Sequence, residues 1–137
     1  MIYMAELSDN GEGGLLVQFA DVPEALTEGI NRDEALANAS DALEVALLGR
    51  MKDGDTIPVA KAQSGTPVTV SAQTGVKLAF YQAFKDSNMT QSALARKLGK
   101  DEAEIRRMLN PYHQTKLPAL DEAVHALGRR LSVGLAA

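Results

Sequence analysis

Between Thr90 and Asn110 the chain reads TQSALARKLGKDEAEIRRMLN, two helix-length apolar patterns meeting at one glycine, and few folds accept that spacing. Counted from Gln91, a helix-turn-helix needs a small residue fifth, a Gly ninth, and apolar residues fourth, eighth, fifteenth and eighteenth. Leu94, Ala95, Leu98, Gly99, Ile105 and Met108 occupy those places. The small residue allows close approach of the helices, Gly99 takes a turn conformation that a side chain opposes, and the apolar set joins the pair. Thr90 is placed to cap the first helix, and Asp101 with Glu104 to form a capping box on the second. The pattern points to duplex DNA.

Charge is divided along the chain. The overall formal charge is −4. Residues 1–75 carry four Lys or Arg against 12 Asp or Glu, a formal −8, whereas residues 76–137 carry ten against six, a formal +4. A basic half suits a phosphate backbone, because neutralising phosphates releases condensed counterions; an acidic half is repelled by one. The first half is therefore expected to face something else, such as a basic protein. With 137 residues and 45% hydrophobic content, the chain suffices for one domain or two small ones, and the charge division favours two. There is no Cys, so neither a disulfide framework nor a thiolate metal site is expected. The first residues lack the pattern of a signal peptide and no window approaches a membrane span, so a cytoplasmic address is the expectation, without membrane association.

In the acidic half, Met1–Leu7 and Gly14–Ala20 read as strands joined through Ser8-Asp9-Asn10-Gly11-Glu12-Gly13, a hairpin signal. Asp21-Val22-Pro23 stops the second strand, and 25–29 supplies a short third. Asn31 is placed to cap a helix, with Glu34 completing a capping box, and Ala35, Leu36, Ala39, Ala42, Leu43, Ala46 and Leu47 follow at helical spacing. Gly49 to Gly54 ends that helix, and 55–59 reads as a strand that Pro58 pushes toward an edge. The expected order is β-β-β-α-β over residues 1–62. Residues 63–75 read as a linker holding a possible edge strand at Val68-Thr69-Val70, a candidate for self-association. Residues 76–137 then form the helical domain: a leading helix over 76–87, the two motif helices, and a last helix from about Pro118 to Leu127 with Gly128 at its end. Four such helices make a lambda-repressor-like domain.

Together the halves resemble the HicB family of antitoxins of bacterial and archaeal toxin–antitoxin pairs. In front, GEGGLLVQFADVPEALTEG followed by NRDEALANASDALEVAL is similar to that family's partial ribonuclease-H-like fold, with Phe19, Asp21, Pro23, Thr27 and Gly29 on its Phe-x-Asp-x-Pro and Thr-x-Gly positions. Behind, LARKLGKDEAEIRRMLNPYHQTKLPALDEAVHALGRRLSV is similar to members that carry a helix-turn-helix domain. The resemblance implies an α+β protein whose acidic domain covers the active surface of a small basic HicA-type toxin, an RNA-cleaving protein. It also implies that the basic domain binds double-stranded operator DNA of its own operon as a homodimer or higher oligomer. The alternative is a stand-alone helix-turn-helix transcription regulator with an N-terminal sensing or oligomerisation domain.

Candidate contacts follow from position. Round the second motif helix, residues 101, 102, 103, 106 and 107 face outward, so Arg106 and Arg107 are placed to meet phosphate or guanine. Glu102 is placed to accept from cytosine or to stand solvated, and the solvated reading is preferred. Gln91 begins the helix whose amino end docks on phosphate, with Ser92 and Lys97 as weaker candidates. Lys100 follows the turn Gly near the backbone, and His113 and Lys116 lie in the loop after the second helix. Asp21, Glu24 and Glu28 form the acidic face expected to meet the toxin. With Asp33 and Glu34 they are also the one carboxylate cluster worth testing as a two-metal nuclease site, but caps and a solvated turn account for several of them. The chain has two His, and His125 has no carboxylate at ligand spacing, so no catalytic residue, cofactor or metal is expected.

Overall fold

One side chain organises the first reversal. In this computed structural model, which describes residues 1–136, Asn10 Oδ1 accepts from the backbone N–H of Glu12 (2.8 Å) and Gly14 (3.0 Å). The turn joins β1 (Ile2–Asp9) to β2 (Leu15–Phe19), antiparallel with Ala5 opposite Phe19 and Leu7 opposite Val17. β3 (Thr27–Gly29) adds to the outer side of β2. Period-two alternation puts Tyr3, Ala5, Val17 and Phe19 on one buried face and leaves Gln18 on the other, exposed.

α1 (Arg32–Lys52) packs on the buried face. Asn31 caps it, accepting from Glu34 N at 2.9 Å, while the Glu34 carboxylate accepts from Ile30 N at 2.6 Å, one residue before the cap itself. Ala35, Ala39, Leu43, Leu47 and Met51 are buried at four-residue spacing. Ala42 and Ala46 stay half-buried on the flank. Gly29 makes the close fit possible, because a Cβ there would stand 2.3 Å from Ala35 N in the first turn of α1. The helix runs past Gly49 to Lys52, and Gly54, at φ +75°, ends the turn after it.

The strand expected over 55–59 does not form. Residues 55–63 run without regular structure, held by Tyr3 Oη donating to the Pro58 carbonyl (2.6 Å) and by the backbone N–H groups of Lys61 and Ala62, which donate to Asp21 Oδ2 (2.8 and 2.9 Å). Ile57 is buried, so the segment contributes to the core as a strap. The fourth strand is β4 (Thr66–Thr69), antiparallel to β1 with Tyr3 opposite Val68. The sheet order is β3-β2-β1-β4, so α1 and the strap carry the chain from one edge to the other. Both edges are tied to α1: Asn38 Nδ2 donates to the Glu28 carbonyl (2.9 Å) and Ser40 Oγ to the Thr69 carbonyl (2.6 Å). The Val68 edge proposed for self-association thus already has one acceptor occupied.

The chain divides into two compact units, unit 1 over Met1–Thr74 and unit 2 from Gly75 onward. The segment read as linker therefore gives β4 to unit 1, and α2 (Ala72–Ser87) begins four residues before the expected start. In unit 2, α2 is followed by α3 (Gln91–Leu98), α4 (Glu102–Leu109) and α5 (Leu117–Ala126). Phe80, Leu94, Ala95, Ile105, Met108, Leu120, Ala123 and Val124 form its core. Leu98 is partly buried against them. A four-stranded antiparallel sheet with a helix on it, followed by a helical unit, makes an α+β protein.

Candidate functional site

The corner between α3 and α4 is set by Gly99, at φ 67° and ψ 32°. Lys100 N donates back to the Ala95 carbonyl at 2.9 Å, closing α3 in the left-handed turn that favours glycine. Thr90 caps α3 through Ala93 N (3.1 Å) and Asp101 caps α4 through Glu104 N (2.9 Å). The second half of the expected box is replaced: the Glu104 carboxylate lies 3.7 Å from Lys100 Nζ.

Arg106 and Arg107 stand exposed side by side on α4, and Gln91 is exposed at the start of α3. Ser92 and Glu102, both considered as DNA contacts, meet each other: Ser92 Oγ donates to Glu102 Oε1. Glu102 is exposed, in keeping with the solvated reading, and its bond to Ser92 ties the first turns of α3 and α4. Lys100, Arg107 and His113 line one hollow of about 160 Å³, with Glu104 on its wall. His113 Nδ1 lies 3.1 Å from Thr115 Oγ1, and Lys116 is exposed at the amino end of α5.

Lys77 was not singled out from the sequence. It is 3% exposed, and its Nζ donates to the Met108 carbonyl (2.9 Å), the Arg107 carbonyl (3.4 Å) and Thr115 Oγ1 (2.9 Å). The two carbonyls belong to the last turn of α4, where helix carbonyls lack their i+4 partner, and that of Arg107 also accepts from the capping Asn110 N–H (3.1 Å). Burial pushes the ammonium down to a pKa of about 8. The signal was present: Lys77 shares a helical stripe with Phe80, Tyr81 and Phe84.

In unit 1 the three acids meet different fates. Asp21 is used by the strap. Glu24 accepts from Arg50 through both oxygens, Nε at 2.5 Å and Nη2 at 2.9 Å, and the guanidinium holds its carboxyl below the usual range. Glu28 is exposed and accepts from Asn10 Nδ2 at 3.3 Å. Asp33 and Glu34 sit in the first turn of α1. Among the described residues no group of three or more His, Cys, Asp or Glu is arranged to hold a metal ion, and no helix is long and apolar enough to cross a membrane.

A sheet-and-helix unit of acidic character and a helical unit that displays two arginines beside a glycine corner define an α+β protein of two units. The particular family is shown by comparison: residues 2–79 match the model of the HicB-like antitoxin of bacterial toxin–antitoxin systems, and the chain belongs to that family. It is 38% identical over 135 residues to Antitoxin HicB of Escherichia coli K12, covering 97% of this chain and 98% of the relative. It is also 35% identical over 135 residues to Antitoxin HicB 1 of Photorhabdus laumondii, covering 98% and 87%. Antitoxin HicB of Pseudomonas fluorescens is 29% identical over 128 residues, covering 91% and 88%. These relatives mark the chain as a regulatory antitoxin and not an enzyme.

Proposed function

We propose that unit 1 binds and neutralises a HicA-type RNA-cleaving toxin, and that unit 2 represses the operon by binding operator DNA as a homodimer or larger assembly. The observation that carries this reading is the exposed pair Arg106–Arg107 on α4, in the cationic part of a chain whose family-matched part is anionic. α4 acts as the recognition helix. Its arginines reach guanine edges or phosphates, while Gln91 at the head of α3 docks on the backbone. Lys100, Arg107 and His113 around their shared hollow supply further phosphate contacts. Two copies on half-sites ~34 Å apart multiply affinity on a palindrome.

Two measurements test the reading. The chain, co-expressed with the reading frame beside its gene, is expected to co-purify with a small basic protein and to abolish its ribonuclease activity. Failure to capture one would favour a stand-alone regulator. Arg106→Ala with Arg107→Ala is expected to weaken operator binding by ~1–3 kcal/mol per lost base contact, and by less for a phosphate contact, with toxin binding intact. Undiminished operator affinity in that variant would remove α4 from the interface.

A further inference from the structure

We propose that the trough along the outer flank of α1 is the seat of the basic partner; this rests on the antitoxin reading and adds where the partner docks and by what chemistry. Ala42, Ala46 and Gly49 bring the helix backbone close to the surface there. They floor a concavity of about 820 Å³ whose far wall is the segment from Glu24 to Thr27. Val45 and Leu26 rise at its sides, 72% and 57% exposed. A single exposed aliphatic side chain is ordinary, but two beside one trough of small residues make an apolar seat that water covers only at a cost.

The rim selects the occupant. Asp41, Asp53, Asp55 and Glu24 border the trough with Arg50 as its one cation, and Arg50 is committed to Glu24. The formal charge of this border is −3. Nucleic acid is repelled by it, and so is the same face of a second copy. What fits is a polypeptide segment that inserts an aliphatic or aromatic side chain between Val45 and Leu26 and places Lys or Arg toward Asp41 and Asp53. Charge complementarity of this kind steers encounter and fixes register, while the apolar insert supplies the slow dissociation. The trough thus assigns toxin binding to the α1 flank, with Asp55 at the head of the strap on its rim, and leaves Asp21, whose carboxylate the strap uses, outside it.

The test uses the full chain and, as probe, the small basic protein encoded beside it, with calorimetry at two salt concentrations. Ala46→Arg fills the trough and opposes the partner's charge; Asp41→Lys with Asp53→Lys alters the rim alone at exposed positions, which keeps the test open if the first variant unfolds. Gln18→Arg, on the other face of the sheet, is the control. Both trough variants are expected to weaken binding by about tenfold or more, with the rim pair also losing the salt dependence seen in the parent, while Gln18→Arg stays within about twofold. Parent-like binding by both trough variants would overturn the assignment and leave the antitoxin reading standing. If the unaltered chain captures no basic protein, the antitoxin reading itself falls. Sedimentation of the same variants completes the test: an oligomer that Ala46→Arg dissolves without loss of toxin binding would make the trough a self-association surface and overturn the proposal.

Discussion

Glu102 illustrates how one carboxylate can be useful to a fold and adverse to its ligand. Bonded to Ser92, it fastens the head of α4 to that of α3, yet it holds a negative charge at the end of the helix proposed to enter the groove. Glu102→Gln keeps an acceptor for the Ser92 hydroxyl and removes the charge. Operator affinity is expected to rise by about 0.5 kcal/mol, the scale of one unit-charge repulsion across water, and a titration of labelled operator showing weaker binding would contradict this. Lys77 gives a different signature. It loses its proton near pH 8 when folded, against an ordinary 10.5, so between those values the unfolded chain binds more protons and stability rises with pH. The rise attributable to this residue is bounded at roughly 3 kcal/mol, because its three acceptors favour the ammonium. Urea unfolding of the parent minus Lys77→Met, from pH 7 to 10, is expected to show that upward slope; a flat difference would refute it. Caps such as Asn31, Thr90 and Asp101 were legible because donor and acceptor lie three residues apart. The helical stripe marked Lys77 as inward-facing, but its partners on α4 and in the loop before α5, like the Ser92–Glu102 bond, were not legible, because only packing brings those segments together.

At the scale of elements, two glycines act by different physics. Gly99 lies in the left-handed region with nothing within 4 Å of where a Cβ would stand, so Gly99→Ala meets only backbone strain. About 1–2 kcal/mol is expected. Gly29→Ala drives a methyl into the first turn of α1, 2.3 Å from Ala35 N, where main chain must move. It is expected to cost more than Gly99→Ala, and thermal melts of the two variants check the order; equal shifts would show that α1 can slide away from β3. The strands of the hairpin and the helix over α1 follow from local pattern, and both were legible. The competition between 55–59 and 66–69 was not. Both segments hold β-forming residues beside a proline, and the place next to β1 goes to the one whose Val68 can sit opposite Tyr3 while Tyr3 Oη still reaches the Pro58 carbonyl. Such a pairing joins residues far apart in the chain, and propensity carries no information about it.

For the whole molecule, the division of charge was visible in the amino acids alone, whereas the trough was not: Ala42 and Ala46 read as part of the apolar stripe and Gly49 as the helix end, until the sheet showed which side of α1 it covers. That division predicts partners of opposite charge for the two units, each bound less tightly as salt rises. Operator affinity is expected to fall on a log–log plot with a slope of about −0.9 per phosphate neutralised, and Arg106→Ala with Arg107→Ala to flatten it by about two if both meet phosphate. An unchanged slope would place both arginines outside the electrostatic footprint. The tethers from Asn38 and Ser40 carry a last consequence. Strands of three and four residues, one interrupted by Pro67 and each with a carbonyl already taken, offer a neighbour too few rungs to extend the ladder. Growth of the sheet from copy to copy, the route that ends in fibrils, is therefore disfavoured at both margins.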